Sequence, residues 1–104
     1  MESFTVRAPL WRWQSATSPG AWHFVTIAGE AADGIRLAAI GGQWLNGRGG
    51  FGSAKVRAAI GNTVWTTSIF PHRESGGWLL PVKAAVRKAE GLAEGDAVTV
   101  TVSL

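Results

Sequence analysis

The residues that could carry binding chemistry lie in the second half of the chain, where hydroxyl, cationic and indole side chains fall close together. Thr67 and Ser68 share one predicted strand, and Lys83 and Arg87 stand four residues apart in a predicted helix, a spacing that places both on one face. Hydroxyls and cations that converge bind a carboxylate or a phosphate, and a neighbouring indole supplies a wall for stacking. The alternative is that Lys83 and Arg87 only solvate their helix and cap nearby carbonyl groups. The candidate ligand-binding residues are Arg57, Trp65, Thr67, Ser68, Trp78, Lys83 and Arg87.

Patterns of catalysis and of metal binding are missing from the sequence. Ser68 and His72 are four residues apart, but no Gly-x-Ser-x-Gly turn surrounds the serine, and a strand followed by a loop does not ensure that the two meet. Neither His23 nor His72 has a second ligand at the spacing of a metal site, and the chain has no cysteine. The glycine-rich residues 47–53 lack the Gly-Lys-Ser/Thr of a phosphate loop and lead into a strand. We expect no catalytic residue, no metal and no cofactor, and we keep a small hydrolase as the last alternative.

The composition is typical of one small globular domain. The chain has 104 residues, of which 46% are hydrophobic and 16% are charged, enough apolar material for a core and too little charge for a disordered chain. No apolar run reaches the roughly 18 residues that a membrane-spanning helix needs, and the N-terminus opens with an acid rather than a secretion signal. We therefore expect a single domain over residues 1–104, located in the cytoplasm, with no membrane partner.

The charge gives little support to nucleic-acid binding. The net charge is only +3, and the sequence pI of about 10.2 is high because Tyr and Cys are absent and almost nothing titrates just above neutrality. The basic residues are scattered, without the run of like charges that marks a polyanion-binding tail. The six tryptophans either fill and clamp the core or line a ligand pocket. Because bases stack on exposed tryptophans, single-stranded nucleic acid stays as the alternative partner.

The elements that must position these residues are short strands and two helices. Two-residue alternation and turn residues predict strands over residues 4–10, 22–27, 53–60, 63–70, 78–80 and 97–104. Helices are predicted over residues 29–39 and 82–90, and the repeated step from a strand into a helix indicates two related halves. Pro9 cannot donate to a ladder, so the first strand is expected to end there or to lie at an edge, where residues 4–9 could support a homodimer. Short, regularly spaced strands favour a barrel.

The second half of the chain also carries a recognisable pattern. It runs from Val56-Arg57-Ala58 through Trp65-Thr66-Thr67-Ser68-Ile69-Phe70-Pro71 and Leu80-Pro81-Val82-Lys83 to Gly95-Asp96-Ala97-Val98. This pattern resembles a bacterial domain-of-unknown-function family, number nineteen-oh-five of that series, and the first strands fit it as well. The resemblance implies a mainly β fold, a single small double-split β-barrel of about six strands capped by two short helices. It is distantly like the swapped-hairpin barrels of antitoxin and transition-state-regulator DNA-binding domains.

The family has no established reaction, so the resemblance assigns a catalytic role to no residue of this chain. Together with the candidate residues, it predicts a non-catalytic binding or interaction module for a small anionic or aromatic molecule, or for a protein partner. A nucleic-acid-binding barrel is the alternative. The loop over residues 43–50 and the abundance of tryptophan depart from the family pattern.

Overall fold

The computed structural model describes residues 3–14, 16–17, 20–42 and 53–104, with side chains described as far as residue 38 in the third range. Each of the eight predicted elements is present. The first strand, the first helix and the fourth and fifth strands are longer than predicted, and the second helix begins two residues later, at Ala84. The elements are β1 Ser3–Gln14, β2 Ala21–Ile27, α1 Gly29–Gly42, β3 Ala54–Ile60, β4 Thr63–His72, β5 Gly77–Pro81, α2 Ala84–Glu90 and β6 Ala97–Ser103. Over the described residues, neither helix has the length and the apolar character needed to cross a membrane.

The six strands close into an antiparallel barrel in the order β1-β2-β5-β4-β3-β6. Every strand has two neighbours, and β1 and β4 each give one part of their length to one neighbour and the rest to the other. Residues 3–9 of β1 pair with β6 and residues 10–14 with β2, while residues 63–69 of β4 pair with β3 and residues 70–72 with β5. The predicted fold class, a mainly β barrel of six strands with two short helices, is confirmed.

The connectivity divides the chain into two halves of the same design. Each half is a hairpin, a helix and a last strand: β1, β2, α1 and β3 in the first, and β4, β5, α2 and β6 in the second. The last strand of each half pairs with the first strand of the other, so β6 joins β1 and β3 joins β4. The two halves therefore close one barrel by exchanging their last strands, in line with the repeated step from strand to helix in the sequence.

The core lies inside the barrel and under the helices. Alternate residues of β3 and β6 point inward, because successive side chains of a strand face opposite sides. Leu10 of β1 and Val25 and Ile27 of β2 are fully buried in the same core. This burial supplies the hydrophobic free energy that closes the barrel.

Pro9 marks the place where β1 changes partners. The strand does not end at Pro9 as one of the two expectations had it, but the ladder with β6 does, at the pair of Pro9 and Ala97. The next residue, Leu10, donates its backbone N–H to the carbonyl oxygen of Asp96 at 2.8 Å. A residue without an N–H group is tolerated where one ladder stops and another begins.

Candidate ligand-binding site

A cavity of about 520 Å³ opens where β2, β4 and the start of α2 meet. Four consecutive residues of β4 line it, Trp65, Thr66, Thr67 and Ser68. Successive side chains of a strand point to opposite faces, so four in a row can line one cavity only along the edge of the strand. This edge is open in the described part of the chain, because residues 63–69 pair with β3 on one side alone. We call this space the cation cavity, after the two basic residues described next.

Lys83 and Arg87 face this cavity from α2. Arg87 is partly buried and donates from Nε to the carbonyl oxygen of Val82 at 3.2 Å, which leaves the other two guanidinium nitrogens available. Lys83 is the exposed N-cap residue, in extended geometry. Within residues 3–14, 16–17, 20–38 and 53–104, no carboxylate forms an ion pair with either cation. The cavity therefore presents positive charge that the described part of the protein does not neutralise.

His23 completes the polar lining and is the residue that the sequence analysis missed. Its Nδ1 atom is buried and has no hydrogen-bond partner among the described residues. Burial lowers the pKa of His23 below its usual value of 6.5, and the positive charges of Arg87 and Arg12 lower it further, against an opposing effect of Glu94. The imidazole is therefore neutral at neutral pH and offers one donor and one acceptor.

No motif in the sequence points to His23, because its role depends on neighbours that are far away in the chain. Register places it opposite Arg12 across the β1–β2 ladder. Arg87, on α2, acts on its pKa from the opposite half of the chain. A lone histidine in a predicted strand carries no signal of either contact.

Aromatic rings wall the cation cavity. Trp65 is buried, with 8% of its surface exposed, and lies on the inner face of β4 opposite Ala58. Trp22 and Phe70 are exposed to 53% and 43%. Their accessible faces are available to a planar ligand, since aromatic rings prefer offset stacking or edge-to-face contact.

The structure brings five of the seven predicted site residues together and leaves two apart. The five that line the cation cavity are Trp65, Thr67, Ser68, Lys83 and Arg87. Arg57 is exposed on the outer face of β3, opposite the cavity residue Thr66 in register. Trp78 is buried and donates from its indole nitrogen to the carbonyl oxygen of Ala32 in α1 at 3.3 Å. The binding roles of Arg57 and Trp78 stay predictions.

A second depression, of about 480 Å³, crosses the outer face of β1, β2, β5 and β4. We call it the aromatic groove. The β1–β2 ladder pairs Trp11 with Phe24 and Trp13 with Trp22, so two aromatic pairs lie side by side on one face. The Trp11 and Phe24 ring centroids are 5.3 Å apart, and those of Trp22 and Phe24 are 6.1 Å apart with nearly parallel planes. The described lining residues are Trp11, Trp13, Trp22, Phe24, Phe70, His72, Glu74 and Leu79.

The tryptophans thus follow both of the alternatives that the sequence left open. Trp65 and Trp78 are core residues, whereas Trp11, Trp13 and Trp22 line the groove on the surface. Trp44 lies outside the described residues, as does most of the glycine-rich stretch of residues 47–53.

Ser68 and His72 do not face a common space. Ser68 lines the cation cavity and His72 lines the aromatic groove. The Nδ1 atom of His72 is hydrogen-bonded to the hydroxyl of Ser75 at 2.8 Å, and its Nε2 atom lies 3.2 Å from the carboxylate of Glu74. Among the side chains that the structure describes, no group of three or more His, Cys, Asp or Glu residues could hold a metal ion.

Comparison with known proteins gives a family. No curated protein matches the chain. The profile of one family, described as "Domain of unknown function (DUF1905)", matches residues 7–102. This range begins within β1 and ends within β6, and it holds the other four strands, both helices and every described lining residue of the two depressions. The resemblance read from the second half of the sequence is confirmed, and the chain belongs to the DUF1905 family.

Proposed function

We propose that this protein is a non-catalytic binding module that holds a small anionic molecule in the cation cavity. The observation that carries the proposal is the pairing of Lys83 and Arg87, without a carboxylate partner in the described chain, with the hydroxyls of Thr67 and Ser68. Charge-assisted hydrogen bonds of this kind are about twice as strong as neutral ones. A volume of about 520 Å³ falls within the range of small-molecule sites.

The positions of the two cations suit recognition of an oxyanion. Arg87 is held by the Val82 carbonyl, so the rest of its guanidinium fork is oriented before a ligand arrives. Lys83 is exposed and can follow the anion as a mobile point charge. His23 adds a neutral ring that can donate to a carboxylate or phosphate oxygen.

The test is calorimetric titration with inorganic phosphate and with small carboxylic acids. Lys83→Ala with Arg87→Ala should weaken binding by about tenfold or more, because each charged hydrogen bond contributes roughly 1.5–3 kcal/mol. The matched control is Arg7→Ala with Lys88→Ala, which removes two exposed cations that line neither depression and gives the same net charge. Equal losses in the two double variants would show that the protein attracts anions only through its net charge, and the proposal would fail.

A single-stranded nucleic acid is the second candidate, favoured by the surface tryptophans. Trp13 and Trp22 are exposed to 48% and 53%, and base stacking on such rings is worth about 1–3 kcal/mol per base. Affinity for an oligonucleotide should then fall steeply as salt rises, because phosphate contacts release counterions. An affinity that stays flat between low and moderate salt would count against this candidate.

We further propose that the barrel is of the double-split type that the resemblance implies. The support is that β1 and β4 each divide their length between two ladders, while α1 contacts β1 and α2 contacts β4. Each helix thus packs against a strand whose first part has a ladder on one side only. Amide hydrogen exchange tests this: the half of the amides on residues 63–69 that face away from β3 should exchange faster than the half that face it. Uniform protection along those residues would contradict it.

A further inference from the structure

The cation cavity and the aromatic groove share a wall. Trp22 and Phe70 line both depressions. Trp22 lies at the start of β2 and Phe70 lies at the point where β4 passes from its ladder with β3 to its ladder with β5. The two depressions are therefore adjacent parts of one surface, and these two residues border both.

Charge is separated along this surface. Lys83, Arg87 and the three hydroxyl residues of β4 line the cation cavity alone, and Trp11 and Trp13 line the groove alone. The one described carboxylate in the groove is Glu74, which lies 3.2 Å from His72. An anion is attracted at one end of the surface and an apolar planar group is desolvated at the other.

The groove has the form of a stacking platform. Trp13 and Trp22 face outward as a cross-strand pair, and the near-parallel planes of Trp22 and Phe24 continue the ring surface along β2. Trp11 is fixed on this platform because its indole nitrogen donates to the hydroxyl of Thr26 at 2.8 Å. Rings held in this way lose little conformational freedom when they stack on a planar ligand.

We propose that the two depressions form one site for a ligand that joins a planar aromatic ring to an anionic group, with the ring on the aromatic groove and the anion at Lys83 and Arg87. This inference rests on the proposed function and extends it by naming the second half of the ligand. The chemistry is that of a nucleoside monophosphate or of a simple aryl phosphate. Neither half alone fills the surface, so a ligand with both should bind more tightly than phosphate or the unphosphorylated ring compound.

The experiment compares adenosine monophosphate, phenyl phosphate, adenosine and inorganic phosphate by calorimetry on the full chain. Adenosine monophosphate and phenyl phosphate should each bind about tenfold or more tightly than inorganic phosphate, as one stacked ring contributes. A preference for adenosine monophosphate over phenyl phosphate assigns the ring to a nucleobase, and the reverse assigns it to a small aryl group.

Variants separate the two halves of the site. Trp13→Ala should lower the affinity for adenosine monophosphate by about fivefold or more and leave the affinity for inorganic phosphate unchanged. Lys83→Ala with Arg87→Ala should lower both affinities. Trp13→Phe keeps a ring and should retain most of the affinity, which separates stacking from damage to the fold. The matched control is Leu37→Ala, which removes an apolar side chain that is 71% exposed on α1.

The outcomes distinguish this inference from the proposed function. If adenosine monophosphate binds no more tightly than inorganic phosphate, or if Trp13→Ala leaves its affinity unchanged, the composite site is wrong while the anion site stands. If neither phosphate nor any phosphorylated compound binds, the proposed function fails and this inference fails with it. Binding of adenosine that equals that of adenosine monophosphate would show that the groove acts alone, and it would also overturn the composite site.

Discussion

The backbone N–H of Val82 donates to the carbonyl oxygen of His23 at 2.9 Å. This bond fastens the chain between β5 and α2 to β2, beside the imidazole. The carbonyl of the same residue accepts the Nε hydrogen of Arg87 at 3.2 Å. One peptide segment thus sets the position of the guanidinium relative to the histidine, and the positive charge of Arg87 lowers the pKa of His23.

Stability should depend on pH through His23. Its pKa is lowered in the folded protein, first by burial and then by Arg87 and Arg12, with Glu94 acting in the opposite direction. The unfolded chain therefore takes up the proton first as pH falls. The contribution of His23 is complete above its ordinary pKa of 6.5 and is lost as pH falls from there through the lowered folded value.

Thermal unfolding between pH 7.5 and pH 5.5 checks this. The midpoint of the wild type should fall over roughly that range, since it brackets the ordinary histidine pKa. His23→Gln should flatten the fall, whereas His72→Gln, which leaves His23 in place, should retain it. Parallel curves for the wild type and His23→Gln would contradict the assignment.

Arg87 should be the main source of the charge effect on His23. Arg87→Ala removes the positive charge that lowers the pKa of His23 more, so this pKa should rise toward its usual value, and Arg12→Ala should raise it less. Titration of the histidine ring protons by NMR measures both. Arg87→Lys keeps the charge and should keep most of the lowering, which separates charge from packing. If Arg87→Ala leaves the pKa of His23 where it was, the relationship between the two groups is wrong.

The elements could be predicted from the sequence because their signals are local. Val98, Val100 and Val102 alternate with polar residues in β6, and a strand with one buried face needs no more than that pattern. Lys83 and Arg87 are neighbours in the sequence, so their common position followed from the spacing of a helix. The resemblance to the family then predicted that these strands form a barrel.

The rest of the site depends on contacts between distant parts of the chain. The cation cavity exists because β4 leaves one edge open and because the segment before α2 is fastened to β2, and no local sequence pattern predicts either fact. Trp78 and Trp22 both open predicted strands, and no local pattern distinguishes them. The indole nitrogen of Trp78 nevertheless donates a hydrogen bond to a carbonyl oxygen 46 residues away in α1. Gly34 has low helix propensity, but the ring of Phe4 occupies the place where a larger side chain at this position would lie.

Gly77 should be the least replaceable glycine among those whose surroundings the structure describes. A Cβ atom at Gly77 would overlap the backbone carbonyl oxygen of Ile27, across the β2–β5 ladder, and backbone cannot move aside as a flexible side chain can. Gly77→Ala should cost about 2 kcal/mol or more of unfolding free energy, at the upper end of overpacking effects.

Chemical denaturation measures this cost, and a second glycine provides the control. Gly20→Ala places the same methyl group in open space, with nothing within 4 Å, and should change the free energy by less than about 0.5 kcal/mol. Equal stability of the two variants would mean that β2 and β5 do not approach at Gly77 as closely as described.

Substitution of Trp78 should affect stability, and substitution of Trp22 should affect ligand binding. Trp78 is 3% exposed and hydrogen-bonded to Ala32, so Trp78→Ala should cost about 3–5 kcal/mol of unfolding free energy. Trp22 is 53% exposed, so Trp22→Ala should change stability by less than about 1 kcal/mol and act on ligand binding instead. Urea denaturation of the two variants measures the change in stability, and calorimetry measures the change in ligand affinity. If Trp78→Phe, which keeps most of the packing, retained full stability while abolishing binding of phosphorylated ligands, then Trp78 would belong to the site as the sequence analysis expected, and its burial under α1 would be a secondary role.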